Sequence, residues 1–374
     1  MNKNKSIMLT RLKIGASAAA SWAWGTSLIM GQQIAQEKGA IAFWIWAIAN
    51  SLTLAIFGWL HNKNVIKPEI YRSKAIKVIA ITTQMFCLLV QLNFINQTLG
   101  NYIPSRAIAY IITFVVGAIF VLAMYKKGLP TSIFTDVFQW FIALGAIVAI
   151  LVIGNVQNAE HYSIIAQSGS NAIWGVWSAV VLISGPIGDI QHWQRAEADK
   201  TKCGYYLGAA FFFVYMCLIY AMAHFKFNAT MDTILIIAVL CVTTSTIDSI
   251  AVAMHEMKSK RLGTIISLAI CAGWGILAEI GMINLWSSFG VIRYMLAASI
   301  IILPLLAKKR RVANTAILLA IAASVVAFIA LGSIGVDNVF GIICVGVAAI
   351  MYAYLVVCMI ARKSDLWEKG DRVG

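Results

Sequence analysis

Residues 234–254 read ILIIAVLCVTTSTIDSIAVAM, an apolar run interrupted by Thr243, Thr244, Ser245, Thr246, Asp248 and Ser249. Its length suits a helix crossing about 30 Å of hydrocarbon. Backbone N–H and C=O groups find no water in lipid, so a chain crossing there must bond internally. Polar side chains in such a span are costly and tend to face a cavity or a partner. Val242, Ser245, Thr246 and Ser249 recur at i, i+3, i+4 and i+7 and share one helical face. Two readings stand: hydroxyl bonding between packed helices, or oxygen ligands for a desolvated monovalent cation.

Comparable apolar runs recur along the whole chain. Hydrophobic residues make up 61% of it, charged residues 12%, and the mean hydropathy is +0.83. Soluble globular domains carry about a quarter charged residues. We read spans near 12–32, 38–60, 76–97, 105–125, 132–154, 171–190, 203–224, 232–255, 262–281, 285–306, 312–333 and 338–361. The expected fold is an all-α polytopic membrane protein with about twelve transmembrane helices.

The basic residues set the expected orientation. With the N-terminus in the cytoplasm, 25 of the 29 Lys and Arg fall on that side, as the positive-inside rule requires. Arg195, Lys200 and Lys202 are counted among these loop charges, while Lys38, Arg106 and Lys226 lie outside and Arg293 lies within a span. Both termini are expected in the cytoplasm and the protein in the cell (plasma or inner) membrane, its bilayer partner. The net charge of +14 is thus topogenic and makes no case for nucleic acid. The basic start resembles a signal peptide, but its apolar stretch before Ala18-Ala19-Ala20-Ser21 is short, and we read it as the first span. Seven scattered cysteines form no C-x-x-C pair and read as apolar packing residues.

Hydrophilic stretches are short and contain no G-x-x-x-x-G-K-[ST] sequence, which excludes ATP-driven pumping by this chain alone. Any transport is passive or coupled to an ion gradient. Span 6 ends in Ser184-Gly185-Pro186-Ile187-Gly188-Asp189, which cannot continue as regular helix. Span 1 carries Gly15, the small residues Ala16 to Ser21, and Gly25. Interrupted helices at matching positions of two halves point to a midplane site in inverted-repeat transporters. We therefore expect a five-plus-five core over residues 1–306, with repeats near 12–154 and 171–306, then two further helices and a cytoplasmic tail over 307–374.

Four local motifs resemble the sodium/solute symporter family, and the chain reads as a short, divergent member close to its urea-transporter branch. Lys127-Gly128-Leu129-Pro130-Thr131-Ser132-Ile133-Phe134-Thr135-Asp136-Val137-Phe138-Gln139 is similar to the G-G-L…T-D-x-x-Q entry into helix 5. Asp189-Ile190-Gln191-His192-Trp193-Gln194-Arg195-Ala196 resembles the D-Q-x-x-W-Q-R-A loop after helix 6. Ser245-Thr246-Ile247-Asp248-Ser249 is similar to the S-T-x-D-S of helix 8, and Ser21-Trp22-Ala23-Trp24 with Thr26-Ser27-Leu28 to the S-x-W-x-W-x-x-T-L-L of the urea branch. Lys127 replaces the first Gly, and Ile190 splits the D-Q pair.

The resemblance implies Na+ as coupling ion, with no other cofactor. It implies ligation by the backbone carbonyls of Ala16, Ala19 and Val242 and the side-chain oxygens of Ser245 and Thr246. It places Asp136 on the inward sodium pathway, which we extend to Asp248 and Ser249; the alternative for Asp136 is a helix N-cap. The expected function is sodium-coupled symport of a small polar organic solute, urea or a related amide, by alternating access. Candidate lining residues are Trp22, Trp24, Gln84, Gln91, Trp174, Trp177 and Arg293, although tryptophans also populate interfacial belts and Arg293 has Glu279 or a substrate carboxylate as partner. The alternative is a non-transporting solute-binding sensor or partner subunit of the same fold. No intramembrane His or carboxylate cluster has catalytic spacing, so an enzyme is not expected.

Overall fold

The structure, a computed structural model, describes residues 3–66, 74–100, 102–156, 169–183 and 185–277. Spans 10 to 12, Arg293, Glu279 and the close of the second repeat lie outside the described residues. Within them the chain is all-helical. The longer helices are α1 (Lys3–Gln33), α2 (Gly39–Asn62), α3 (Lys74–Gly100), α4 (Arg106–Lys127), α5 (Leu129–Val156), α6 (Gly169–Ile183), α7 (Gly204–Met222), α8 (Ala229–Met254) and α9 (Lys260–Gly273). A short π-helical turn, Ile34–Lys38, joins α1 to α2, and a nine-residue loop helix, Ile190–Ala198, lies between α6 and α7.

Polarity runs opposite to that of a water-soluble globule. Phe134, Phe138 and Phe141 stand exposed along one side of α5, and Ile108, Ile111, Val115, Ile119 and Leu122 along α4. Buried polar side chains fill the interior, among them Asp136, Asp189, Arg195 and Asp248. Exposed apolar area on this scale is expected where the solvent is lipid. Five segments among the described residues are long and apolar enough to cross a membrane, and Ile7–Asn62 contains two of the helices. This is an integral membrane protein. Residues 76–97, read as a span, fall on α3, which is not among those segments. Its Thr83, Gln84, Gln91 and Asn93 are buried, so packing rather than an apolar surface accommodates it.

Local sequence explains the ends. Ser105, Asn228 and Ser259 cap α4, α8 and α9, each side chain accepting a backbone N–H three residues on. Gly128, at φ 68°, turns α4 into α5 in a conformation that suits glycine. In α6 the helix stops at Ile183, and Pro186–Gly188 makes one 3₁₀ turn before the loop helix. The first helix is interrupted at Trp24, whose φ of 43° and ψ of 152° are not helical. Both interruptions expected from the sequence are therefore present.

α8 is central. It packs against α1, α3, α4 and α5, while α1 packs against α7 and α2 against α6 and α7. Its stretch from Val242 to Met254 is buried throughout.

Candidate functional site

The break in α1 is built from opposing demands. A tryptophan at positive φ is strained by about 1–3 kcal/mol and persists only where surroundings hold it. Gly25, the next residue, donates its backbone N–H to Gln91 Oε1 on α3 at 3.2 Å, so the interrupted helix keeps a buried partner there. Gly25 also admits α8: a Cβ added at this position would lie 2.4 Å from Thr243 Oγ1. Glycine is what allows the two helices to meet at the interruption.

Below the break, α1 and α8 converge on one carboxylate. Asp136 Oδ1 accepts Ser245 Oγ of α8 at 2.7 Å, and Oδ2 accepts Ser17 Oγ of α1 at 2.5 Å. Asp136 is the eighth residue of α5, fully buried, and its carboxylate faces across helices. The N-cap alternative is thereby excluded, because a cap would serve the first turn of its own helix. Asp248 accepts Ser132 Oγ at 2.8 Å and Thr135 Oγ1 at 2.6 Å. Ser249 Oγ lies 2.8 Å from the Ser245 carbonyl, which it can donate to.

The structure corrects the reading of Arg195 as a solvated loop charge. The side chain is fully buried, and its Nη2 meets Asp136 Oδ2 at 2.6 Å. Nη2 also reaches Ser132 Oγ at 3.0 Å and Ser249 Oγ at 2.5 Å, Nε reaches Ser17 Oγ at 2.8 Å, and Nη1 reaches the Gln191 carbonyl at 2.9 Å. One guanidinium joins the loop helix to α1, α5 and α8. Planar, always-charged arginine suits such a fork of acceptors better than lysine. The D-Q-x-x-W-Q-R-A-like motif held the signal; counting charges by loop concealed it.

The five proposed sodium ligands lie on the buried α1 and α8. Ser245 donates its hydroxyl hydrogen to Asp136, and Thr246 donates its own to the Val242 carbonyl at 3.0 Å. Both oxygens keep lone pairs for a hard cation; the Ser245 hydrogen is directed to Asp136, and the Thr246 hydrogen to the Val242 carbonyl, itself one of the five. An all-oxygen donor set of hydroxyls and carbonyls fits Na+ chemically.

A small cavity lies on the other side of the break, lined by Trp22, Trp24, Thr26, Ser27, Met30, Trp46, Asn50 and Leu182. Trp22 Nε1 donates to the Asn50 carbonyl at 2.9 Å, which fixes its indole. Among the described residues, no charged side chain lines it. Of the lining residues expected from the sequence, Trp22 and Trp24 meet here. Trp46 and Asn50 were missed because α2 carries them in an otherwise apolar stretch. Gln84 instead binds Asp189 Oδ1 at 2.6 Å, Gln91 serves Gly25, and Trp174 is buried in α6 outside the cavity lining. Trp177 and Arg293 have no described side chain.

The sequence matches no protein-family model. It matches no curated protein. Among solved structures, the fold resembles that of a Na+-coupled sialic acid symporter in a substrate-bound, outward-open state, reported with a novel Na+ site. The TM-score is 0.60 at 13% sequence identity, over 93% of this chain and 90% of that chain. The likeness is one of fold.

Proposed function

We propose that this chain is a sodium-coupled symporter that moves a small polar organic solute by alternating access. The observation that carries the reading is the meeting of an interrupted first helix with the hydroxyl-bearing α8, at the break itself, where any Cβ on Gly25 would collide with Thr243. The fold shared with a Na+-coupled symporter supports it. Na+ is cargo and coupling ion, held by the carbonyls of Ala16, Ala19 and Val242 and the hydroxyl oxygens of Ser245 and Thr246. Asp136, Asp248 and Ser249 line its way to the cytoplasm.

An ion bound across α1 and α8 ties two elements together, and only a state that brings their ligands together profits from it. Such differential affinity is what drives a population shift. The solute enters at the tryptophan-lined cavity beside the break, which in this state has room for about one water molecule and must widen to admit it. Indole faces and the oxygens of Thr26, Ser27 and Asn50 suit an uncharged planar solute, urea or a related amide, since the described part of the lining carries no counter-charge for an ion.

The test is uptake into proteoliposomes with and without an inward sodium gradient, across urea, simple amides, sugars, proline and sialic acid. Sodium-stimulated accumulation of an uncharged amide is the expected result. Saturable solute binding without accumulation under any gradient would replace the reading with a non-transporting sensor or subunit.

A further inference from the structure

The loop helix between α6 and α7 is short, and six of its nine residues are buried: Ile190, Gln191, His192, Trp193, Arg195 and Ala196. Nine residues are too few to be stably helical alone in water, so its place depends on what it binds. Three anchors hold it. Asp189, just before it, receives Gln84 of α3 at 2.6 Å. Gln194 Nε2 lies 3.4 Å from Glu256 Oε1, an exposed contact beyond the end of α8. Arg195 alone reaches α1, α5 and α8 together, at full burial.

We propose that Arg195 is a latch: it holds the loop helix across the inner end of the α1–α8 seam, and opening that end requires its guanidinium to leave Asp136. This inference deepens the symporter reading and rests on it for direction, since the seam is the proposed ion path.

Three observations support a releasable contact over a permanent strut. First, the hydroxyls that Arg195 touches keep partners without it: Ser17 has Asp136, Ser132 has Asp248, and Ser249 has the Ser245 carbonyl. Release therefore orphans none of them. Second, Asp136 is the one group that loses its charge partner, and it is bonded to Ser245, a proposed sodium ligand. A sodium ion moving inward from that ligand meets the same carboxylate that Arg195 holds. Two cations competing for one buried carboxylate make ion passage and latch release a single event. Third, Ser17 lies between Ala16 and Ala19 and binds both Asp136 and Arg195, so the α1 ligand segment senses the same exchange.

The experiment reads exposure beneath the loop helix, without reference to transport. Ala196 is buried, and an Ala196→Cys reporter in a Cys203→Ser background is titrated with a membrane-impermeant maleimide from the cytoplasmic side. With Arg195 intact, labelling is slow. Arg195→Gln raises the rate roughly tenfold or more, since removing one partner of a buried pair strongly disfavours the closed arrangement. Arg195→Lys falls between, because one ammonium cannot span the fork. If Arg195→Gln leaves Asp136 too destabilised to purify, the neutral pair Arg195→Gln with Asp136→Asn removes the bare charge and gives a smaller gain, still above the parent.

Labelling unchanged in whichever of these proteins is monodisperse overturns the latch. So does a gain in Arg195→Gln that Asp136→Asn alone fails to produce, since the guanidinium would then act through another partner. Repeating the assay in sodium and in a bulky organic cation separates the two ideas. An Arg195-dependent gain with no sodium effect keeps the latch and removes sodium from the symporter reading.

Discussion

Arg195 Nη2 and Asp136 Oδ2 lie 2.6 Å apart, and neither side chain has any exposed surface. A buried ion pair is not by itself a large source of stability, because desolvation offsets attraction, yet removal of one partner typically costs 3–5 kcal/mol. Asp136→Ala should therefore lower the thermal midpoint in detergent sharply, and the double neutral variant Asp136→Asn/Arg195→Gln by much less. Equal losses in single and double variants would show that the two residues are not coupled.

Thr246→Ala offers a clean probe of the ion site. Among the described residues its hydroxyl hydrogen bonds only within α8, to Val242, so truncation should change stability by about 1 kcal/mol or less while weakening sodium-dependent uptake. Ser245→Ala should also weaken it, with a further loss of stability because Asp136 loses a donor. Unchanged sodium dependence in both variants removes the assigned ligands.

Gly25→Ala should abolish uptake, because its Cβ would meet Thr243 Oγ1 at 2.4 Å. Shortening the opposing residue with Thr243→Ala should restore part of the activity. Rescue is measured as initial uptake rate in the double variant; its failure would place the harm at Gly25 in backbone freedom instead of contact with α8.

Gln91→Leu leaves the Gly25 N–H buried without its acceptor, which costs about 1–3 kcal/mol. A lowered thermal midpoint together with a reduced solute affinity is expected, since the same bond fixes the break beside the cavity. A fall in neither quantity would remove Gln91 from the support of α1.

Acidification should destabilise the protein in part through His255, which follows the last turn of α8. Burial, with Lys260 as a lesser cause, pushes its imidazole below the ordinary value, and its buried Nε2 has no hydrogen-bond partner among the described residues. The unfolded chain then binds the proton more readily, so stability falls as pH drops through the usual histidine range and below. His255→Gln should flatten that slope of midpoint against pH.

Much of this architecture could be read from the chain. Apolar run length and the charge pattern placed α2 to α5, α7 and α8 within three residues of their observed limits, because crossing lipid leaves little freedom in length or in secondary structure. By contrast, α1 begins nine residues before the span read for it, and α6 and α9 end seven and eight residues before theirs. The two helix interruptions were visible in Gly25 and in Gly185-Pro186, for which backbone chemistry is decisive. Arg195 was not legible by the same logic. A charged residue in a hydrophilic loop looks solvated, and only the packing of the loop helix under α1, α5 and α8 carries it inward. Trp46 and Asn50 escaped for the opposite reason: in a spanning helix, sequence does not say which face looks at lipid and which at a cavity.

The interruption at Trp24 has a mechanical meaning. With the Gly25 N–H satisfied from α3, the two halves of α1 are joined through one residue already outside helical geometry. Bending at that joint pulls no further rung from the ladder, whereas bending anywhere else along α1 must break one. The segment after the break can therefore swing about a prepared elbow relative to the one before it, which Ser17 ties to Asp136.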